Sequence, residues 1–207
     1  MKSTESQTES HDYLKWEERY SRPGRKRHVP DSLLLENWHR LEGPRILDVA
    51  CGEGRNSLFL ASKGFQVTGI DRSPTAIAKA RQWASEASLN PDFICWDLDS
   101  LSLPGAPYDS IVVTRYWQPS LCPVLTEALR PGGVLLYETY TIEFLRYRPQ
   151  SSGNYLLQPG ELPKFFTDME IMHSAEVDKP QTREYCAQLI ARKIQGISAQ
   201  IANVTQL

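Results

Sequence analysis

The sequence predicts one α/β domain in which a doubly wound, mostly parallel sheet carries helices on both faces. Between residues 45 and 139, short β-branched and aliphatic runs alternate with segments of helical periodicity, as repeated strand–helix units do. At the start of that region, a strand at 45–49 stops in a glycine-rich turn and continues as a helix. A chain of 207 residues is long enough to give such a domain a sizeable core.

Each predicted element has a local signal. Two amphipathic helices, 11–20 and 31–41, precede the first strand, and Gly43-Pro44 ends the second of them. Ser73 is a predicted N-cap with Pro74 at the first helical position. In chain order the elements expected next are strand 45–49, helix 56–62, strand 65–70, a helix from Pro74 that Asn90-Pro91 breaks, strand 93–96, strand 108–114, helix 124–129, a turn at 130–133 and strand 134–139.

The C-terminal third departs from this alternation. Residues 140–160 are irregular, a length that is often functional, for example as a lid. A short helix at 159–166 and a closing antiparallel pair, 171–177 with 185–194, follow. We therefore divide the chain into a polar tail 1–10, N-terminal helices 11–43, a core 44–140, an insertion or lid 141–166, a closing hairpin 168–195 and a tail 196–207.

Composition excludes several function classes. The net charge of −2 gives no polycationic field for nucleic acid or an anionic membrane, and no apolar run reaches the roughly 20 residues that span a bilayer. The first ten residues lack the apolar region of a secretory signal. Four scattered cysteines, without ligand-type spacing, indicate a reducing cytoplasmic compartment and no structural zinc. We expect a small-molecule substrate, no metal, no membrane or nucleic-acid partner, and a monomer or homodimer.

The charged residues at the glycine turn restrict the class of ligand that the turn can bind. Dinucleotide-binding turns place a pyrophosphate over G-x-G-x-x-G, but Ser57 stands at the third glycine position here. Glu53 lies inside the turn and Asp48 in the strand below it. Two carboxylates would repel a pyrophosphate and would favour a cationic ligand.

This stretch, 48–54, resembles motif I of the class I S-adenosylmethionine-dependent methyltransferases, in which an acidic residue precedes spaced glycines. Asp71 ends the second strand, where that family binds the ribose, Asp97-Leu98 corresponds to its adenine contact, and 129–135 resembles its "LkPGG" turn. The resemblance implies a Rossmann-like sheet of about seven strands with the last antiparallel, and S-adenosylmethionine as cofactor, leaving as S-adenosylhomocysteine. Residues 16–20, 54–61 and 64–68 are most similar to the tellurite-resistance-type and thiopurine-type small-molecule methyltransferases.

The resemblance also implies site residues. Asp48 with the Gly52 and Gly54 backbone would bind the methionine end, while Trp16, Arg19 and Tyr20 would close over the cofactor. The full expected cofactor set is Trp16, Arg19, Tyr20, Asp48, Ala50, Gly52, Gly54, Asn56, Asp71, Arg72, Asp97, Leu98 and Thr114. Ala50 stands where the family usually has its first glycine, and we expect its backbone to keep a negative φ.

Fewer features of the sequence indicate which residues contact the methyl acceptor. Arg115 and Tyr116 follow the fourth strand, at the edge where ligands of open α/β sheets bind, and are the predicted catalytic residues. Arg146, Tyr147 and Arg148 are predicted to bind an anionic substrate by charge-assisted hydrogen bonds. Other interpretations stay open, namely Arg115 as a structural ion-pair partner, Asp48 and Asp97 as turn residues, Asp71 as a helix cap, Arg146 and Arg148 as solvated surface, and Trp16 and Tyr20 as core aromatics.

The predicted function is methyl transfer to a small thiol, soft oxyanion or carboxylate-bearing compound by in-line displacement. A methyltransferase acting on RNA or protein is one alternative, supported only by the basic run 22–28. An NAD(P)-dependent oxidoreductase is a second alternative, which the acidic residues of the turn disfavour. A non-catalytic S-adenosylmethionine-binding module is a third.

Overall fold

Seven strands form one sheet in the computed structural model of the chain, which describes residues 16–22, 29–100, 102–151 and 155–195. The strands are β1 (Arg45–Val49), β2 (Gln66–Asp71), β3 (Asp92–Cys95), β4 (Tyr108–Thr114), β5 (Leu129–Tyr140), β6 (Met169–Lys179) and β7 (Glu184–Lys193). Their spatial order is β3-β2-β1-β4-β5-β7-β6. β1 to β5 run parallel, and β7 is antiparallel to both β5 and β6. The predicted fold class is confirmed, including the antiparallel last strand.

The helices lie on both faces of this sheet. They are α1 (helical over 16–21), α2 (Ser32–Asn37), α3 (Arg55–Ser62), α4 (Pro74–Glu86) and α5 (Leu121–Ala128), and single-turn 3₁₀ segments cover Trp38–Arg40, Ile142–Arg146 and Leu162–Phe166. The predicted tails, 1–10 and 196–207, lie outside the described residues. Among the residues described, no helix combines the length and the apolar character that a membrane span requires.

The sheet separates two hydrophobic cores because its strands are apolar on both faces. On one face α5 and the 162–166 segment pack against β1, β4, β5 and β7, burying Ile111 and Tyr137. On the other face α2 and α3 pack over Ile46 and Leu136. Both cores hold the strands rigidly, so that the loops at the ends of the strands are built on a fixed frame.

Several boundaries differ from those predicted. α5 begins at Leu121, one helical turn earlier than expected, and β5 begins at Leu129. The predicted turn at 130–133 is a bulge within β5, because Tyr108 pairs with Leu129 and Ser110 already pairs with Val134. The four residues in between have no partner in the register with β4.

The parallel strands end at a common edge, which we call the carboxyl edge. The pairing of Tyr140 with Cys186 and of Lys179 with Glu184 brings the end of β6 and the start of β7 to the same edge. The irregular segment after β5 begins there as well. The fold therefore gathers nearly all of the predicted site residues at one edge of the sheet.

Candidate active site

The turn after β1 is built from left-handed backbone. Gly52 has φ +55° and Gly54 has φ +83°, conformations that glycine adopts without a steric penalty. A Cβ on Gly52 would lie 2.8 Å from the Tyr20 hydroxyl, and one on Gly54 would lie 2.7 Å from Cζ of Phe93. Both positions thus favour glycine for two reasons: a Cβ atom would clash with a neighbouring aromatic side chain, and the backbone is left-handed.

Ala50 contradicts the expectation of a negative φ, because its φ is +54°. This conformation costs an alanine roughly 1–2 kcal/mol. The neighbouring hydrogen bonds impose it: the Cys51 N–H donates to the Ile70 carbonyl at 2.9 Å, and the Gly54 N–H donates to the Cys51 carbonyl at 3.0 Å. The turn keeps the geometry that glycine would have, with local strain at Ala50, whose contact with the cofactor stays a prediction.

Asp48 lies under this turn and is 1% exposed. Its Oδ2 accepts a hydrogen bond from the Ser57 hydroxyl at 2.5 Å, and its buried Oδ1 has no hydrogen-bond partner in the described part of the chain. Burial raises the pKa of Asp48 to about 7, although the Ser57 hydrogen bond and the Arg55 charge act in the opposite direction. A half-satisfied buried carboxylate is a site for a cation or donor.

Asp71 sits beside the turn at the end of β2 and is 6% exposed. Its Oδ2 accepts from the Gly52 N–H at 2.8 Å and its Oδ1 from the Ser73 N–H at 2.9 Å. Burial raises the pKa of Asp71, while these two backbone hydrogen bonds lower it. Ser73 is the N-cap of α4, as predicted, because its hydroxyl accepts from the Ala76 N–H. Asp71 therefore holds the turn after β1 against the start of α4, and its role in ribose binding stays a prediction.

The predicted adenine contacts follow β3. Asp97 is exposed and accepts from the Asp99 N–H at 3.1 Å, whereas Leu98 is buried. Arg72, after β2, reaches Asp99 with an N–O separation of 3.6 Å. These residues line the same end of the carboxyl edge as Asp71, and their contact with adenine stays a prediction.

Asn56 and Thr114 connect the turn to β4. The Asn56 Nδ2 donates to the Thr114 hydroxyl at 2.8 Å, and the Asn56 Oδ1 accepts from the Asp31 N–H at 3.0 Å. All three residues are buried. Asn56 and Thr114 thus set the start of α3 against the end of β4, and their predicted contact with the cofactor is untested.

α1 covers the glycine turn. The Trp16 and Tyr20 rings are stacked with their centroids 6.0 Å apart, and the Arg19 guanidinium lies 4.8 Å from the centre of the Trp16 ring. The Tyr20 hydroxyl faces Gly52, whereas Trp16 is 40% exposed. Burial raises the pKa of Tyr20 strongly, and the Asp71 charge adds to this effect. Of the three residues expected to close over the cofactor, Tyr20 lies against the turn, and the roles of Trp16, Arg19 and Tyr20 in cofactor binding stay predictions.

Lys79 of α4 holds α1 in place and was not predicted. Its Nζ donates to the Tyr20 carbonyl, to the Arg22 carbonyl at 3.2 Å and to Glu53 Oε1 at 3.1 Å. Lys79 thereby satisfies carbonyls at the end of α1, where intrahelical donors are lacking. No local pattern marks Lys79, since its partners are brought together only by the fold.

At the end of β4, Arg115 has φ +58° and its N–H donates to the Glu138 carbonyl at 2.7 Å. Its guanidinium Nη2 lies 3.0 Å from Asp31 Oδ1 and 3.1 Å from Glu184 Oε1. Burial lowers the pKa of Arg115, but the charge of Asp31 and the other acids outweighs it, so that the net pKa is raised. The ion-pair interpretation of Arg115 is thus observed, and a catalytic role stays a prediction.

The acids around Arg115 were missed by sequence reasoning. Asp31 also pairs with Arg55, and Glu184 accepts from the Tyr140 hydroxyl at 3.0 Å. Beside them Glu138, fully buried, pairs with Lys179 at 2.7 Å. This ion network comprises Asp31, Arg55, Arg115, Glu138, Lys179 and Glu184. The signal in the sequence was the charged Glu138 directly after the apolar run 134–137.

Tyr116 also lies at this end of β4. Its hydroxyl donates to Gln118, and its carbonyl accepts from the Tyr137 hydroxyl at 3.1 Å. Burial raises the pKa of Tyr116 strongly, and the charge of Asp99 adds to it. The phenol is held neutral, so that it can donate or accept a hydrogen bond but cannot supply an anion.

The predicted substrate-binding residues lie against the hairpin of β6 and β7. The Tyr147 hydroxyl donates to Asp178 Oδ1 at 2.6 Å. Arg146 is paired with Glu143 and its side chain is 66% exposed, while Arg148 is exposed. Their predicted roles as a lid stay untested. Of the basic run 22–28, only Arg22 belongs to the described residues, and it pairs with Glu18 at 2.7 Å.

Comparisons with known proteins agree with this geometry. Residues 46–133 match the model of a family described as "Methyltransferase domain". The chain is 30% identical over 118 residues to the ubiquinone biosynthesis O-methyltransferase of Coxiella burnetii, an alignment that covers 55% of this chain and 50% of that protein. The chain thus spans about half the length of the first curated relatives it matches.

Solved structures share the fold. Magnesium protoporphyrin IX methyltransferase (ChlM) from Synechocystis PCC 6803, with bound SAH, superposes with a TM-score of 0.69 at 19% identity, over 90% of this chain and 99% of that one. TehB from Haemophilus influenzae superposes with a TM-score of 0.67 at 21% identity, over 86% of this chain and 67% of that one. At such identities these likenesses concern the fold alone, so that the narrower resemblance to tellurite-resistance-type and thiopurine-type enzymes stays a prediction.

The family match and the related sequence both concern methyltransferases. The matched region contains the acid under the glycine turn, the turn itself and the acids that follow β2 and β3. The segment 46–133 is therefore similar to a methyltransferase domain, within a fold that a methyltransferase of known structure shares.

Proposed function

We propose that the chain binds S-adenosylmethionine at the turn after β1 and catalyses transfer of its methyl group to a small-molecule acceptor. The observation that carries this proposal is Asp48, whose buried Oδ1 has no hydrogen-bond partner among the described residues and lies beneath the glycine turn. This acid suits a ligand with an ammonium and a sulfonium and disfavours a diphosphate. S-adenosylmethionine supplies, when bound, a methyl group on a positively charged sulfur that is already a good leaving group.

The residues of the chain fit that ligand. Asp48 and the backbone of Gly52 and Gly54 would hold the methionine end, and the left-handed glycines let the backbone approach it closely. Asp71 and Asp97 would hold the nucleoside. α1, fixed by Lys79, would exclude water from above.

The chemical task of the acceptor end is alignment and exclusion of water. Arg115 and Tyr116 would face the acceptor from the end of β4. Because Asp31 and Glu184 balance the charge of Arg115, that residue orients by hydrogen bonding and does not act as a free cation. Because Tyr116 stays neutral, an acceptor that is already a nucleophile at neutral pH, such as a thiolate or a soft oxyanion, suits the site best.

Two further features belong to this proposal. The named relatives act in ubiquinone biosynthesis and on a porphyrin, which supports a small organic acceptor here and extends the range to an oxygen nucleophile. The four cysteines are free, in keeping with a reducing compartment, and we assign the activity to the cytoplasm.

The experiment is an assay of S-adenosylhomocysteine release with a panel of acceptors: thiols, tellurite, selenite, catechols, small carboxylates and tRNA. We expect release with at least one small molecule above the rate without enzyme, and loss of that release in Asp48→Asn. Release with tRNA alone, at low salt, would assign the activity to RNA. Tight binding of S-adenosylmethionine without release in any arm would indicate a non-catalytic binding module.

A further inference from the structure

A third carboxylate, from the covering helix α1, lies at the nucleoside end of the site. Glu17 Oε2 accepts a hydrogen bond from the Thr75 hydroxyl at 2.7 Å, which ties α1 to the start of α4. Glu17 Oε1 is buried and has no hydrogen-bond partner among the described residues. One oxygen of this carboxylate is therefore anchored, and the other has an unfilled acceptor position.

Glu17 and Asp71 both accept hydrogen bonds from the start of α4, Glu17 from the Thr75 hydroxyl at 2.7 Å and Asp71 from the Ser73 N–H at 2.9 Å. The two carboxylates therefore lie near each other where β2 leads into α4. In agreement, the charge of Glu17 raises the pKa of Asp71, after the effects of burial and of the two backbone hydrogen bonds.

Two close carboxylates with an unpartnered oxygen are an unfavourable arrangement unless a ligand supplies donors. Each oxygen of Asp71 already accepts one backbone N–H and retains one acceptor position. A vicinal diol carries two O–H donors and no charge, so that it would satisfy both carboxylates at once. The ammonium and the sulfonium belong at the other end of the site, over Asp48.

We propose, resting on the function proposed above, that Glu17 and Asp71 form a two-carboxylate clamp for the 2′,3′-diol of the nucleoside, with Glu17 accepting one of its hydroxyls. Glu17 is then a specificity-determining residue for the ribose. A ligand without one of the two hydroxyls leaves Glu17 Oε1 unpartnered.

The test is calorimetric titration of the full chain and of Glu17→Gln with S-adenosylhomocysteine and with its 2′-deoxy and 3′-deoxy analogues. Charge-assisted hydrogen bonds predict that Glu17→Gln binds S-adenosylhomocysteine about tenfold more weakly. For the analogue that lacks the hydroxyl bound by Glu17, wild type should itself be weakened, and Glu17→Gln should add no more than about a twofold loss. The matched control is Glu18→Gln, an exposed neighbour that pairs with Arg22 and should leave all three affinities unchanged.

A second readout separates recognition from folding. Without ligand, Glu17→Gln removes a repulsion from Asp71, so that its Tm should equal or exceed that of the wild type. An equal loss of affinity for all three ligands, a lowered Tm, or undiminished affinity in Glu17→Gln would each overturn the clamp while leaving the proposed function intact. If the wild type fails to bind S-adenosylhomocysteine at all, the proposed function itself fails.

Discussion

Asp48→Asn should change how the stability of the ligand-free protein depends on pH. In the folded chain burial raises the pKa of Asp48 from 3.8 to about 7. Between these values the folded state retains a proton that the unfolded chain has released, and stability therefore falls as pH rises. Above pH 7 the loss is complete, and below about pH 4 it is absent, because both states are then protonated.

The size of the effect follows from the same two values. One pKa unit corresponds to about 1.4 kcal/mol at 25 °C, so that the raised pKa of Asp48 amounts to about 4 kcal/mol of unfolding free energy. Asparagine does not titrate. It can still accept from Ser57, but its amide group then lies where Oδ1 has no partner, which adds a pH-independent cost of roughly 1–3 kcal/mol. The observable is therefore the change with pH in the difference between variant and wild type.

Urea denaturation followed by tryptophan fluorescence at several pH values from 4 to 8.5 gives this difference directly. We expect Asp48→Asn to gain about 4 kcal/mol relative to wild type across that range. Asp168→Asn, at an exposed position, is the control and should parallel the wild type. A difference that stays constant with pH would refute the inference that a buried, half-satisfied carboxylate lies under the turn.

Three further predictions concern other parts of the site. In Gly54→Ala the new methyl group would clash with the Phe93 ring of β3 and the residue would keep an unfavourable positive φ, so that the variant should lose S-adenosylhomocysteine binding and at least 2 kcal/mol of stability. Gly64→Ala is the control, because Gly64 also has a positive φ (+92°) but has no atom within 4 Å of the added methyl group. It should lose roughly 1–2 kcal/mol of stability in urea denaturation and keep its affinity. Arg115→Met removes the cation that Asp31 and Glu184 share and leaves Asp31 with Arg55, so that it should lower stability by roughly 2–4 kcal/mol without weakening S-adenosylhomocysteine binding, as calorimetry would show; an unchanged stability would contradict the ion-pair geometry. Arg146→Ala with Arg148→Ala should raise the acceptor KM and leave cofactor affinity and Tm unchanged, since both side chains are exposed; an unchanged KM would remove them from the acceptor site.

Local chemistry in the sequence was sufficient for most of the fold. Apolar runs bounded by turn residues located all seven strands, and the Ser73-Pro74 pair located the start of α4 to the residue. The glycine turn was recognisable because its geometry depends on residues within one short stretch. The start of β5 was misplaced because a proline and two glycines usually end a strand, whereas here they form a bulge within it.

The side chains of the site were harder to predict for a physical reason. The conformation of Ala50 follows from the Cys51–Ile70 hydrogen bond between neighbouring strands, which overrides the local preference of alanine. The partners of Arg115 lie 69 residues away at Glu184 and on a different element at Asp31. Such contacts are produced by the topology of the sheet, and no spacing in the sequence announces them.

Competition between two ligands tests the central claim most directly. Calorimetric titrations of the wild-type chain with S-adenosylmethionine and with NAD⁺, each repeated in the presence of the other, compare a cation with a diphosphate at the same turn. We predict binding of S-adenosylmethionine, no heat with NAD⁺, and a weaker S-adenosylmethionine affinity in Asp48→Asn. Binding of NAD⁺ that S-adenosylmethionine cannot displace would contradict the assignment of the acidic turn to a sulfonium ligand.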